Sequence, residues 1–269
     1  MYTLPLGKIY PARRGSNVWL RRPKPITVKV GRDRAEREHL EGEWSEALEG
    51  FFAQIPLERW MNHPIANACA SHKVEQLTRA SKFGLAIPPS IVTQSEEELR
   101  GFWASCGGQV ITKPLASGFL PREFGDDATL IYTSEVTPQH LRHTGTLSAC
   151  PTLFQKRITK LLDVRVCVIE DDVIGVGLRA LGQDGRQRLD VRRNNMTDVI
   201  HGQVEIPSTV AAALMALTRS YNLRFAAVDM AIDQGGDWIF FELNPNGQWA
   251  WLDLTGVADI ASALIASFR

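Results

Sequence analysis

The stretch Phe240–Asp253, FFELNPNGQWAWLD, places an acid, two asparagines and two tryptophans directly after a run of apolar residues. Two apolar segments lead into it, Phe225–Ile232 (FAAVDMAI) and Trp238–Leu243 (WIFFEL). Residues Asp233–Asp237 (DQGGD) separate them, and a short glycine-containing turn between two strand-like segments predicts a β-hairpin. The polar stretch therefore begins at the end of a strand whose hairpin partner carries a second acid, Asp229.

Three oxygen-bearing side chains are expected to converge on this hairpin. Opposed residues of an antiparallel pair lie about 5 Å apart, so Asp229 and Glu242 can face one side at similar height. Asn244 follows Glu242 by two residues and points to the same face if the strand continues. Hairpin acids are more often solvated surface groups, but an unpaired charge among apolar neighbours would be costly. Because carboxylate and amide oxygens suit Mg²⁺, the sequence predicts a magnesium site here.

A magnesium site of this kind implies a nucleotide, although the sequence has no standard nucleotide motif. Neither GxxxxGK[ST] nor GxGxxG occurs, which argues against a P-loop or dinucleotide-binding fold. Lys73 lies in a predicted helix, and Lys113 ends the apolar strand QVITK. A lone lysine is usually a solvated side chain, and Lys113 is the more informative of the two because it follows apolar residues. The segment Phe154–Ile158 (FQKRI) is strand-like, and its backbone groups can pair with a base.

Composition and charge exclude several classes of protein. The chain has 269 residues, 44% of them hydrophobic, and its 30 basic and 30 acidic residues leave no net charge to favour nucleic acid or a membrane surface. The four cysteines are widely spaced and form no CxxC pair, which is typical of reduced thiols in a cytosolic protein. No signal peptide or membrane-spanning apolar run is found in the sequence. We therefore expect a cytoplasmic protein that binds neither nucleic acid nor a membrane.

Helical and strand patterns are mixed along the chain. Apolar residues spaced about three to four apart predict helices over 32–52, 66–83 and 207–221. Asp163–Ile169 and Val173–Leu181 flank a short acidic turn and predict a second hairpin. Antiparallel hairpins combined with helices indicate α+β architecture.

These pieces occur in an order that resembles the ATP-grasp ligases. The matching pieces are QVITKPL, FQKRI, LDVRVCVI, AVDM and FELNPNGQW. Within that superfamily, NPNGQW followed by WLD is similar to the maturases of ribosomal peptides known as graspetide, or microviridin-type, macrocyclases. The segment WMNHPIANACASHKVEQLTRASKFGLAIPPSIVT and the element NVWLRRP (Asn17–Pro23) are similar to theirs as well. The resemblance covers about residue 17 to the C-terminus, and the ordered set is far more specific than E-x-N alone.

The resemblance implies an ATP-grasp fold with a shortened N-terminal domain. Family members usually begin with a further strand, helix and strand, whereas about 16 residues precede NVWLRRP in this chain. We therefore expect a reduced N-terminal region at 1–62, a central subdomain at 63–150 and a C-terminal subdomain with the magnesium site at 151–269. ATP would bind between the last two.

The resemblance also implies roles for individual residues. It assigns cofactor contacts as follows: Lys73 and Lys113 at the ATP phosphates; Gln155, Lys156 and Ile158 at the adenine; Asp229, Glu242 and Asn244 at Mg²⁺. It assigns the transferred phosphate to three catalytic arginines, Arg165, Arg179 and Arg192, and the donor fork of arginine suits phosphate and carboxylate groups. Arg165 alternates with valines and so belongs to the polar face of its strand. Arg179 and Arg192 are explained equally well as exposed ion pairs.

In enzymes of this family, ATP converts a carboxylate to an acyl phosphate, which a nucleophile attacks with release of phosphate. The resemblance implies that the carboxylate is an Asp or Glu side chain of a ribosomal precursor peptide. A Ser or Thr hydroxyl or a Lys amine of the same peptide would then close an ω-ester or ω-amide ring. The leader of the precursor would bind separately from its core, and the enzyme would form a homodimer.

Two alternative functions remain open at this point. One is an ATP-grasp ligase that adds an amino acid, such as glutamate, to a peptide or protein. The other is a catalytically inactive subunit that binds a leader peptide without turnover. Intact Asp229, Glu242, Asn244 and Lys113 argue against the inactive subunit.

Overall fold

The computed structural model describes residues 2–4, 7–9, 17–21, 23, 25–116, 118–120, 129–193 and 196–268. Helices and antiparallel sheets both occur in this part of the chain, which confirms the predicted α+β class. Within the same ranges, no helix has the length and apolar character needed to cross a lipid bilayer.

Several helices begin after a residue whose side chain accepts a hydrogen bond from a backbone amide of the first turn. The helices of the described residues are α1 (Arg34–Phe52), α2 (Pro64–Cys69), α3 (Lys73–Lys82), α4 (Glu96–Ser105), α5 (Ser208–Ser220), α6 (Ala250–Asp253) and α7 (Ile260–Ser267). The Asp33 carboxylate accepts a hydrogen bond from the amide of Glu36 at 2.9 Å and caps α1. Short 3₁₀ helices are found at Leu57–Arg59, His140–Arg142, Leu147–Ala149 and Met196–Asp198.

The single helix predicted over 66–83 is divided into α2 and α3. His72, in an extended conformation, interrupts the helical backbone just before α3. The Ser71 hydroxyl donates a hydrogen bond to the carbonyl of Asn67 at 2.6 Å, and local side-chain bonds of this kind compete with helix continuation. The interruption makes Lys73 the first residue of α3.

The strands of the described residues are β1 (Tyr2–Leu4), β2 (Gly7–Ile9), β3 (Ser90–Thr93), β4 (Val110–Lys113), β5 (Phe119–Leu120), β6 (Thr129–Leu130), β7 (Ser134–Glu135), β8 (Thr152–Lys156), β9 (Lys160–Ile169), β10 (Asp172–Arg179), β11 (Ile200–Gln203), β12 (Phe225–Asp233) and β13 (Trp238–Asn244). Both predicted hairpins are present, β9–β10 and β12–β13. In the NVWLRRP element, Val18 forms an isolated β-bridge with Trp60. Arg22 of this element lies outside the described residues.

Two larger antiparallel sheets organise the described chain. One has the strand order β11-β10-β9-β12-β13, and the other has the order β3-β8-β4-β7; β1-β2 and β5-β6 are separate pairs. The predicted subdomain boundary at residue 150 falls just before β8, which pairs with β3 and β4 rather than with the strands that follow it. The change from one sheet to the other therefore occurs between Lys156 and Lys160.

The five-stranded sheet is covered on both faces. On one face, alternate residues of β9 (Val164, Val166 and Val168) belong to a core with α3 and α5. The residues between them alternate to the other face, where Cys167 and Ile169 pack with residues of α6 and α7. Arg165 shares this second face, so the alternation that builds the core also directs its charge away from α3 and α5.

Candidate active site

A row of three charged side chains crosses the five-stranded sheet. Arg165 of β9 is paired in register with Asp229 of β12, and Asp229 is paired with Glu242 of β13. The Arg165 Nη1 atom lies 2.8 Å from Asp229 Oδ1. The register shifts after Asp229, where Met230 opposes Phe240, so Phe241 is an extra residue on β13. The hairpin prediction that opposed the two acids is confirmed at the level of individual residues.

The two carboxyl groups have different proton affinities. Burial raises the pKa of Asp229 to about 6; the charge of Arg165 opposes this shift, and the neighbouring Glu242 carboxylate adds to it. Burial also acts to raise the pKa of Glu242, but the positive charges of Lys113 and Lys73 outweigh burial and hold it below the ordinary value. Glu242 is therefore the more persistently ionised of the pair.

Two lysines reach these carboxylates from outside the sheet. Lys73 Nζ lies 3.6 Å from Glu242 Oε2 and donates a hydrogen bond to the Pro114 carbonyl at 2.8 Å. Lys113, at the end of β4, lies 5.9 Å from the centre of the Phe241 ring. Burial lowers the pKa of Lys113, and the Glu242 charge counteracts this shift. Both lysines predicted to contact phosphate are thus gathered beside the acids.

The donor set on β12 and β13 fits Mg²⁺. Asp229 and Glu242 supply two hard carboxylate oxygens, and Asn244 follows on the same face of the strand. The Asn244 Oδ1 atom accepts a hydrogen bond from the amide of Asn246 at 3.0 Å, which fixes the orientation of the side chain. Among the described residues, no group of three or more His, Cys, Asp or Glu side chains could enclose a metal. Two carboxylates and one amide oxygen suit Mg²⁺, which usually keeps waters and phosphate oxygens as its other ligands.

A cavity of about 350 Å³ opens between the two larger sheets, within the range typical of small-molecule sites. The acids, the lysines and Asn244 all line it. Gln155, Lys156 and Ile158, the residues predicted to border the adenine, line its other wall. Gln155 is buried and donates to the Ser90 hydroxyl at 2.9 Å, which holds β8 against β3. The cavity therefore joins the predicted metal and base-binding segments in one site.

The three predicted catalytic arginines are not placed alike. Arg165 and Arg192 line the cavity. Arg192 donates two hydrogen bonds to the Asp190 carboxylate, at 2.9 and 2.7 Å, and the pairing raises its pKa. Arg179 is exposed and follows Leu178, whose side chain lines the cavity, so strand alternation directs Arg179 to the opposite face. The structure does not bring Arg179 together with the other two.

A buried polar cluster beside Arg165 was missed by the sequence reasoning. Lys160 Nζ donates to both carboxylate oxygens of Asp163, at 2.7 and 2.8 Å, and to the Leu189 carbonyl at 3.0 Å. Gln187 donates to the same carboxylate at 2.7 Å. Together these bonds tie the loop that carries Asp190 to β9. Asp163 is two residues before Arg165, so strand alternation could have identified it as a second polar residue on that face.

The cavity lies between two antiparallel sheets, with acids on one sheet and a strand lysine on the other. This arrangement is typical of the ATP-grasp enzymes, which bind nucleotide between the two sheets, and it places the chain in that class. A family model described as the RimK-like ATP-grasp domain matches residues 74–268. The chain therefore belongs to the RimK-like ATP-grasp family, whose members bind ATP. No curated protein sequence matches the chain.

Solved structures with the same fold include two macrocyclases and a RiPP-associated ATP-grasp ligase. The macrocyclase MdnC of Microcystis aeruginosa MRC, bound with its precursor peptide MdnA, is 25% identical; the match covers 94% of this chain and 78% of MdnC, with a TM-score of 0.80. The macrocyclase MdnB of the same organism is 27% identical over 93% of this chain and 75% of MdnB, with a TM-score of 0.71. A Chryseobacterium gregarium ATP-grasp ligase, in complex with ADP and a leader and core peptide, is 24% identical over 94% of this chain and 76% of its own, with a TM-score of 0.82. The predicted resemblance to graspetide maturases is confirmed.

Proposed function

We propose that the chain is an ATP-dependent ligase that closes ω-ester or ω-amide rings in a ribosomal precursor peptide. The observation that carries the proposal is the row Arg165–Asp229–Glu242 on three neighbouring strands, facing lysines across the cavity. The likeness to MdnC, a macrocyclase bound with its precursor peptide, supports a peptide as the substrate. The reaction consumes ATP and releases ADP and phosphate.

Asp229, Glu242 and Asn244 would hold Mg²⁺, which would neutralise phosphate charge when bound. Lys73 and Lys113 line the same cavity as Glu242 and would contact the phosphates there. Positioning and charge neutralisation are the main contributions that proteins make to phosphoryl transfer, so these side chains need no covalent role. The apolar wall beside Ile158 would take the adenine, and backbone groups of Gln155 and Lys156 would border it.

The reaction has two steps. First, an oxygen of the substrate Asp or Glu side chain attacks the terminal phosphorus of ATP, the bond to the bridging oxygen breaks, and ADP leaves with its electron pair. Second, a hydroxyl or amine of the same peptide attacks the acyl carbon, phosphate leaves, and the nucleophile's proton passes to phosphate or solvent. Arg165 and Arg192 would orient the carboxylate and stabilise the acyl phosphate, since both residues line the cavity.

The remaining features of the assembly are proposed on the same basis. ATP would lie between a central subdomain at 63–150 and a C-terminal subdomain at 151–269, with β8 contributed to the central sheet from beyond that boundary. The leader and the core belong to one precursor peptide, but they would contact different parts of the enzyme. The enzyme would be a homodimer and would act in the cytoplasm.

Calorimetric titration with a non-hydrolysable ATP analogue, with Mg²⁺ and with EDTA, tests the nucleotide site. Binding that requires Mg²⁺ is expected, and binding that ignores it would remove the metal assignment. Small peptides encoded beside the gene, rich in Thr and Glu, are then incubated with the enzyme and ATP. Each ring lowers the peptide mass by one water, whereas a gain of one amino-acid residue would identify the amino-acid ligase alternative. An unchanged peptide from a chain that binds but does not turn over ATP would favour the inactive subunit.

A further inference from the structure

A buried glutamine bonds the metal-bearing strand at the residue between two of its proposed ligands. Gln76 of α3 is 2% exposed. Its Oε1 atom accepts a hydrogen bond from the amide of Leu243 at 2.9 Å, and its Nε2 atom donates to the Leu243 carbonyl at 2.7 Å. Nε2 also donates to the Ala70 carbonyl at 2.6 Å. The side-chain amide thus satisfies both backbone groups of Leu243, as a neighbouring strand would.

The position of this contact determines what it controls. Leu243 lies between Glu242 and Asn244, and its N–H and C=O groups face away from β12 because both are bonded to Gln76. Successive strand residues point to opposite sides, so fixing the peptide groups of Leu243 fixes the directions of its two neighbours. The two-point bond restrains both translation and rotation of β13 at the metal site.

Gln76 also couples the metal strand to a phosphate-binding lysine. It lies three residues after Lys73 on α3, a spacing that places both side chains on one side of the helix. Lys73 Nζ is 3.6 Å from Glu242 Oε2. The glutamine therefore fixes the helix to the strand next to the point where lysine and carboxylate meet, and sets the distance between them.

The segment that follows is held in the same manner. Asn62, 1% exposed, donates to the Pro245 carbonyl at 3.0 Å and to the Phe225 carbonyl at 2.8 Å. Leu243, Pro245 and Gly247 are buried, while Glu242, Asn244 and Asn246, which alternate with them, are less buried. Side chains from outside the sheet thus hold alternate residues of the segment, and the residues between them carry the oxygen atoms.

We infer that Gln76 is a positioning residue that presents Glu242 and Asn244 to Mg²⁺ and keeps Lys73 beside them. The inference rests on the metal site in the proposed function. A glutamine that only stabilised the fold would affect melting temperature without a selective effect on metal dependence. A positioning role predicts weaker Mg²⁺ binding in a chain that still folds, because partners behind metal ligands typically contribute about 10- to 100-fold in affinity.

The test is calorimetric titration of ADP into the full chain over a series of Mg²⁺ concentrations and in EDTA. Gln76→Met keeps the side-chain length without its polar atoms, and Gln76→Asn keeps the amide with a shorter reach. Leu99→Ala, in the core of the four-stranded sheet and not among the residues that line the cavity, is the control for lost stability alone. We expect both Gln76 variants to raise the apparent Mg²⁺ constant for ADP binding about tenfold or more, with excess Mg²⁺ restoring full binding.

Each outcome decides the inference. Wild-type Mg²⁺ dependence in a folded Gln76→Asn or Gln76→Met variant, with only a lower melting temperature, overturns it. The same shift in Leu99→Ala also overturns it, because lost stability would then be the cause. A wild-type chain whose ADP binding ignores Mg²⁺ removes the metal site itself, and this result is distinguished from the others because it appears before any substitution is made.

Discussion

The two walls of the cavity differ in both charge and support. The five-stranded sheet contributes Asp163, Asp229 and Glu242, and each is already near a positive side chain. Among the described residues, those that the four-stranded sheet contributes to the cavity include lysines and no carboxylate. The five-stranded wall rests on two large apolar cores, and the four-stranded wall rests on a smaller one. The proposed metal site therefore lies on one wall, whereas the proposed phosphate contacts come from both walls.

The largest expected effect comes from removing one acid of the five-stranded wall. Glu242→Gln replaces a carboxylate by a neutral amide, which binds Mg²⁺ poorly. We expect the rate of peptide cyclisation to fall more than about 100-fold, because losing a metal ligand should cost more than losing a residue that only supports one. The melting curve should still show a folded protein. Glu205→Gln, the same change at an exposed residue, is the matched control. Wild-type turnover in Glu242→Gln would break the assignment of the metal to this wall.

The next prediction concerns the arginine of the same wall. Arg165→Lys keeps a positive charge beside Asp229 but loses the planar fork that binds two oxygens at once. We expect kcat to fall by about 100- to 1,000-fold, the range seen when one donor to a developing charge is removed, with little change in Mg²⁺-dependent ADP binding. Arg186→Lys, at an exposed arginine, is the control. A rise in KM at constant kcat would show that Arg165 only binds substrate.

A smaller effect is expected on the four-stranded wall. Burial lowers the pKa of Lys113, so its charged form is disfavoured in the folded protein relative to the unfolded chain. Lys113→Met should weaken ATP-analogue binding about 10- to 100-fold, the equivalent of a charged hydrogen bond of about 1.5–3 kcal/mol. The same substitution should raise the melting temperature, because it removes a desolvated charge. A lower melting temperature would mean that the contact with Glu242 outweighs desolvation.

The sequence predicts the residues of the five-stranded wall better than the long-range hydrogen bonds that hold this wall in place. Asp229 and Glu242 could be placed opposite each other because one short turn sets the register of β12 and β13. The same reasoning does not place Arg179 correctly. The face of the strand on which Arg179 lies depends on the residue-by-residue register, which the sequence pattern alone does not supply. The bond of Gln76 to Leu243 joins residues 167 positions apart, and no local pattern contains such a contact.

The smallest expected effect compares the stability of the two walls through their buried cysteines. Cys106 lies in the smaller core and Cys167 in one of the larger ones, where burial raises its pKa to about 12. Labelling requires an accessible thiolate, so both thiols react only after local opening. In a Cys69→Ser/Cys150→Ser background, which removes the exposed thiols, we expect maleimide to label Cys106 about tenfold faster than Cys167. That ratio corresponds to about 1.4 kcal/mol less free energy of opening for the four-stranded wall. The rates are measured by mass spectrometry of the digested protein, and equal rates would show that the two walls open as one unit.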